Sequence, residues 1–161
     1  MLSSTRRFRA TRSLVIALLM AIAALLPLTP AHAAYGSPIP VSMAVYGGST
    51  GTQLLARVDG TMQFDDANMK YQYNLELCRV SSFVAPHVKV SVNGVYKYSL
   101  FWNGGSSTAL CPSFYTATAL AAEVDNGSTV VNVTLTLVGS DFNNNVYRER
   151  TRTATYDNPF N

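Results

Sequence analysis

Histidine and cysteine are scarce in this sequence: each occurs twice, as His32 and His87 and as Cys78 and Cys111. His32 falls in an N-terminal leader, which leaves three, too few for a structural zinc site, which draws on four such side chains. Charged residues make up only 13% of the chain and there is a single tryptophan, Trp102. The longest apolar run, residues 14–26, holds 13 residues, too few for a membrane-spanning helix of about 20. Neither a repeat with a period of about 20 to 50 residues nor an amphipathic helix of useful length is visible. These shortages exclude a zinc module, a solenoid and a helical bundle.

What is present first is the three-part pattern of an export signal. Arg6, Arg7, Arg9 and Arg12 form a positive segment, residues 14–26 the apolar segment, and Ala31-His32-Ala33 an A-x-A cleavage site. Residues 1–33 are therefore expected to be a signal peptide cleaved after Ala33. Arg6-Arg7 invites a twin-arginine reading, but Arg9 stands where a hydrophobic residue should follow that pair, so Sec-type export is expected. The long Arg-rich leader is bacterial in style. Four of the 12 Lys and Arg lie in the leader; the remaining eight face nine acids, and the formal +3 of the whole chain becomes −1. A nucleic-acid partner and lasting membrane insertion are excluded with it.

The mature part, 34–161, is the size of one domain, with 34–40 read as an extended lead-in and 41–161 as the folded body. Two cysteines in an exported chain are expected to form one disulfide, Cys78–Cys111. In residues 70–78, Tyr71, Tyr73, Leu75 and Leu77 alternate with Lys70, Gln72, Asn74, Glu76 and Cys78. This is the period of a half-buried strand and turns Cys78 away from the core. Residues 129–138 alternate likewise, with Val131, Val133, Leu135 and Leu137 assigned inward.

The register of the remaining segments rests on their turn residues. Asn93-Gly94 signals a hairpin; a three-residue loop 92–94 pairs Ser91 with Val95 and places Val88, Val90, Tyr96, Tyr98, Leu100 and Trp102 on one face. Asp59-Gly60 reads as a hairpin turn within 53–64, and 141–145 as the turn before a final edge strand, 146–156. The expected fold is all-β: a single antiparallel β-sandwich of immunoglobulin-like architecture with about eight strands and one disulfide. Trp102 lies too far beyond Cys78 for a true immunoglobulin pattern.

The motifs that could carry chemistry all lack their context. Residues 47–51 match G-x-S-x-G, but that motif needs a strand-to-helix turn and a triad partner, and the mature chain has only His87. Asp141-x-Asn143-x-Asn145 begins like a calcium loop, then has Val146 in place of Gly and Arg152 in place of the bidentate acid. A copper brace would require cleavage before His32. No catalytic residue, cofactor or metal is therefore assigned. Asn126 and Asn132 head glycosylation sequons that matter only in a eukaryotic secretory pathway.

Arg148, Arg150 and Arg152 alternate along the last strand and so project from one face. A pairing of Val138 with Val146 would continue that face through Thr136, Thr134 and Asn132. These arginines are the candidate contact for acidic groups on an extracellular protein or polysaccharide. Exposed aromatics are sought at Tyr46, Tyr115 or Phe142. The expected function is a small secreted, non-catalytic binding or cell-surface interaction protein. The alternative is an inhibitor of an extracellular hydrolase acting through the disulfide-tethered loop 103–112.

Overall fold

The computed structural model describes residues 34–105, 111 and 116–161. Eight strands follow in order: β1 (Ile39–Gly47), β2 (Gln53–Phe64), β3 (Lys70–Arg79), β4 (His87–Val92), β5 (Val95–Phe101), β6 (Thr116–Asp125), β7 (Asn132–Asn143) and β8 (Val146–Asp157). They form two four-stranded antiparallel sheets, ordered β1-β2-β3-β6 and β5-β4-β7-β8. Residues 1–33, expected to be a signal peptide, lie outside the described residues.

One core lies between the sheets, built from the alternate residues of their inner faces. Val41, Met43, Val45, Leu55, Val58, Met62, Phe64, Tyr71, Leu75 and Leu77 meet Val88, Val90, Val92, Val133, Leu135 and Leu137. Tyr71 reaches across to Tyr98, with the two hydroxyls 2.9 Å apart. Burial raises the pKa of both phenols, so the bridge stays neutral at ordinary pH.

Cys78 sits on the opposite face of β3 from Leu77, as its alternation requires. It is bonded to Cys111, with Cα atoms 5.7 Å apart. Both sulfurs join Ala117 and Val80 in a small apolar cluster of their own. The disulfide thus fastens a loop to the outside of the first sheet.

Several expectations are corrected. Residues 53–64 are one strand, without a turn at Asp59-Gly60, because Gly60 is paired on both sides, with Val41 and with Leu75. β1 begins at Ile39, within the segment read as a lead-in. Val131 is exposed and Val130 is buried in its place, because β7 starts only at Asn132.

The β4–β5 hairpin has a two-residue turn that pairs Val92 with Val95. Asn93 and Gly94 both have positive φ, 52° and 78°, the requirement of a type I′ turn. The extra residue sits farther along, where the register shifts between Val90 and Ser91. That bulge returns Tyr98 and Leu100 to the core but leaves Tyr96 outside, 58% exposed.

The β7–β8 hairpin is longer than expected. Its turn is Asn144-Asn145, with φ of 50° and 61°, and Asn143 pairs with Val146 while Val138 pairs with Thr151. The offset from the expected register is an odd number of residues, so the faces are exchanged. Arg148, Arg150 and Arg152 oppose Asp141, Gly139 and Leu137 on the inward side. Ala154 and Tyr156 follow on that same side, packed against the core. The threonines instead pair among themselves on the outer face, Thr134 with Thr155 and Thr136 with Thr153, hydroxyls 3.0 Å apart in each pair.

Candidate functional site

The outer face of the second sheet ends in a patch of exposed aromatic rings. Phe142 and Tyr147 are cross-strand partners in the extended β7–β8 hairpin. Phe83, from the loop between β3 and β4, meets Phe142 edge-on at 4.6 Å, and Phe142 meets Tyr147 at 5.8 Å. On the neighbouring strands His87 and Phe101 stand side by side, ring centres 5.4 Å apart. Between the two groups lies a shallow cleft of about 20 Å³ bordered by Val84, His87, Val138, Tyr147 and Glu149. Phe83 and Phe101 are 60% and 61% exposed, unusual for such large apolar rings unless they contact something.

The surface is held in shape from beneath. The amides of Val80, Ser81 and Ser82 all donate to the Leu55 carbonyl. The Phe83 amide donates to the Ser140 carbonyl at 2.9 Å, and the Val84 amide to the Ser140 hydroxyl at 2.9 Å. Ser140 in turn donates its amide to the Ser82 hydroxyl at 3.0 Å. Arg79 donates to the carbonyls of Ser82 and Phe83 while its guanidinium lies 5.2 Å over the Trp102 ring. A loop fixed by this many bonds presents its rings with little ordering entropy left to lose on binding.

Two opposite charges, Lys89 and Glu149, act on His87 at the patch. Burial, with a smaller contribution from Lys89, lowers the His87 pKa, so its ring is neutral at pH 7. The rest of the outer face carries the Thr134, Thr136, Thr153 and Thr155 hydroxyl ladder with Ser91, Ser99 and Tyr96 beside it, and exposed Lys89, the cross-strand partner of Thr136 and Ser99, stands among them.

The arginines occupy a different place. Arg148 and Arg152 are exposed, whereas Arg150 is half-buried and approaches Asp141 at 3.5 Å. Asp141 is itself buried, and its other oxygen accepts the Gly48 amide at 2.5 Å. The carboxylate first read as the start of a calcium loop therefore ties β7 to the β1–β2 turn. Among the described residues no group of three or more His, Cys, Asp or Glu is gathered for a metal.

Ser49 lies exposed in a strand-to-strand turn with no helix after it, so the G-x-S-x-G match has no nucleophile elbow. Tyr46 is half exposed on β1. Of loop 103–112, residues 103–105 are held against β6. The Thr118 hydroxyl bonds the Gly104 carbonyl at 2.6 Å and the Asn103 side chain at 3.1 Å. Cys111 is buried at the disulfide; 106–110 and 112, together with the Tyr115 candidate, lie outside the described residues.

A larger hollow of about 480 Å³ lies on the outer face of the first sheet, bordered by Thr61, Gln63, Gln72, Asn74, Ala121 and Glu123. Its polar groups are largely engaged with one another. Gln72 donates to Gln63 at 2.7 Å, Gln63 to the Gly36 carbonyl at 2.8 Å, and Lys70 pairs with Glu123 at 3.2 Å. A ligand there would have to break bonds before making its own, which favours the aromatic patch as the site.

Sequence reasoning named Phe142 as an exposed aromatic but missed Phe83, Phe101 and Tyr147. Their only local signal is a bulky ring at a position of polar parity or in a loop. No known protein family, curated protein or solved structure matches the chain.

Proposed function

We propose that this chain is a small exported, non-catalytic binding protein that lays the aromatic end of its second sheet on an extracellular polysaccharide. The single observation that carries the reading is the group of exposed rings Phe83, Phe142, Tyr147 and Phe101, with half-buried His87, prearranged beside a face rich in hydroxyls. Rings offer apolar area to the C–H faces of sugar rings while hydroxyls exchange hydrogen bonds with sugar hydroxyls. The cation and the anion beside the rings, Lys89 and Glu149, offset each other, which favours a polymer without strong net charge. Arg148 and Arg152, on the same strand as Tyr147, form a charged border to that surface.

The architecture we assign is an immunoglobulin-like sandwich. The β3–β6 and β4–β7 pairs take the places of the B–E and C–F pairs of that fold. Among the described residues no strand flanks β6 where strand D would stand.

The test is co-sedimentation of the processed protein with insoluble cellulose, chitin, xylan and peptidoglycan. At least one polymer should retain the protein, with little dependence on salt. Phe142→Ala should weaken retention about tenfold, the effect of losing one buried ring at roughly 1.5 kcal/mol or more. The triple variant Arg148→Ser, Arg150→Ser, Arg152→Ser separates the ring surface from the arginine strand: salt-sensitive retention lost only in that variant would move the site to the arginines. Retention on no polymer would refute the reading.

Export would also change a contact at the start of the domain. The Ala34 nitrogen lies 3.0 Å from the Asp66 carboxylate, and the Asp66 amide donates to the Ala34 carbonyl at 3.0 Å. Cleavage after Ala33 turns that nitrogen into an ammonium and the hydrogen bond into an ion pair. Asp66→Asn should then lower the stability of the processed protein by about 0.2–1 kcal/mol, the range of exposed pairs. N-terminal acetylation of the processed protein should abolish that difference, as a two-by-two comparison of urea midpoints would show.

A further inference from the structure

Among the described residues the edge strands of the two sheets are β1, β6, β5 and β8, and three of them carry protection against strand addition. β1 has Pro40 near its start. β5 is short, is interrupted by the bulge, and carries exposed Lys97. β8 carries Arg148, Glu149, Arg150 and Arg152. Such charges, prolines and bulges are what blunt an edge.

β6 has the fewest of these devices, its only charges being the acids Glu123 and Asp125 near its end. It pairs with β3 through ten consecutive residues without a register shift, and its sequence, TATALAAEVD, contains no Pro, Gly, Lys or Arg. Its first turn of pairing is covered, since Gly105 packs against the Ala117 carbonyl and Thr118 bonds Asn103 and Gly104. The stretch 119–125 has no strand beside it among the described residues. Ala119, Ala121 and Ala122 are exposed there, and Leu120 and Val124 are only partly buried.

We propose that residues 119–125 are a docking edge for a second copy of this chain, paired antiparallel about a two-fold axis through Ala122. That register is self-complementary. Ala122 meets its own copy, Leu120 meets Val124, Ala121 meets Glu123 and Ala119 meets Asp125. The two acids of the strand thus face alanines and never each other, whereas parallel self-pairing would stack Glu on Glu and Asp on Asp, which is destabilising. Face parity is kept, because each pair joins two outward or two inward positions. The result is one continuous eight-stranded sheet, with the half-covered Leu120 and Val124 of both copies closed against each other.

The test is sedimentation of the processed protein across a concentration series up to about 0.5 mM, a range that reveals micromolar dissociation constants. The parent should pass from monomer to dimer. Ala122→Lys and Ala122→Glu each place like charges face to face on the axis, so each alone should dimerise tenfold or more weakly. Mixed in equal amounts they should recover the parental association as a heterodimer, which a misfolded variant could not do. Ala122 is exposed, so both variants should keep the parental thermal transition. A parent that stays monomeric, variants that dimerise like the parent, or a mixture that remains monomeric would each overturn the proposal.

Discussion

Gly60→Ala should destabilise the domain by about 3 kcal/mol or more, a large share of the roughly 5–15 kcal/mol that holds a domain of this size together. Gly60 stands inside β2 between Val41 and Leu75, with φ at +149°, a conformation that side chains rarely adopt. A Cβ there would run into the Asn74 carbonyl and lie 2.8 Å from the Leu75 Cα. Both obstacles are backbone, so β2 and β3 would have to part at this point. Gly94→Ala is the matched control: its φ is also positive, +78°, but open space surrounds it, leaving only the left-handed cost of about 1–2 kcal/mol. Urea midpoints of the two variants should differ accordingly. Equal losses would mean that the tight β2–β3 approach is wrong.

Replacing both cysteines, Cys78→Ala with Cys111→Ala, should cost about 3–4 kcal/mol. The bond closes a loop of 33 residues, and freeing a loop of that length restores the corresponding entropy to the unfolded chain. Alanine avoids placing an unpartnered hydroxyl in the apolar cluster that both sulfurs occupy. Reductant added to the parent should produce the same midpoint as the double variant. A loss below about 1 kcal/mol would show that the unfolded chain gains little from release. Core packing should survive either way, because Cys78 lies on the side of β3 away from Tyr71, Tyr73, Leu75 and Leu77.

The contrast between these two sites shows where the sequence was readable. The outward turn of Cys78 follows from the period of β3 alone, because a strand with Tyr71, Tyr73, Leu75 and Leu77 on one side must put residue 78 on the other. Gly60 reads locally as a turn glycine after Asp59, and only pairing on both sides of β2 shows that it is a strand residue. The candidate site followed the second pattern. Phe142 was legible as an exposed aromatic, yet its neighbours Phe83, Phe101 and Tyr147 come from three separate segments. The arginine strand was legible as a ladder with its direction reversed.

By itself the sequence determined an all-β chain, the inward sets of β3, β4 and most of β7, and the one disulfide pair. Those depend on a two-residue period and on composition, which act within a segment. Tertiary structure decided the registers. Asn93 bonds the Thr129 carbonyl and the Val131 and Asn132 amides, a set of contacts favouring the tight two-residue turn and leaving the bulge to β5. Ser140 is bonded by the 82–84 loop and Asp141 by Gly48, which supports β7 well beyond the position where its local pattern ends. Because side chains alternate, that extension by an odd offset carried the arginines to the inner side and left Phe142, Tyr147 and the threonines outside. A contact between residues many positions apart leaves no trace in local periodicity, and in this protein such contacts chose which face of β8 meets the outside.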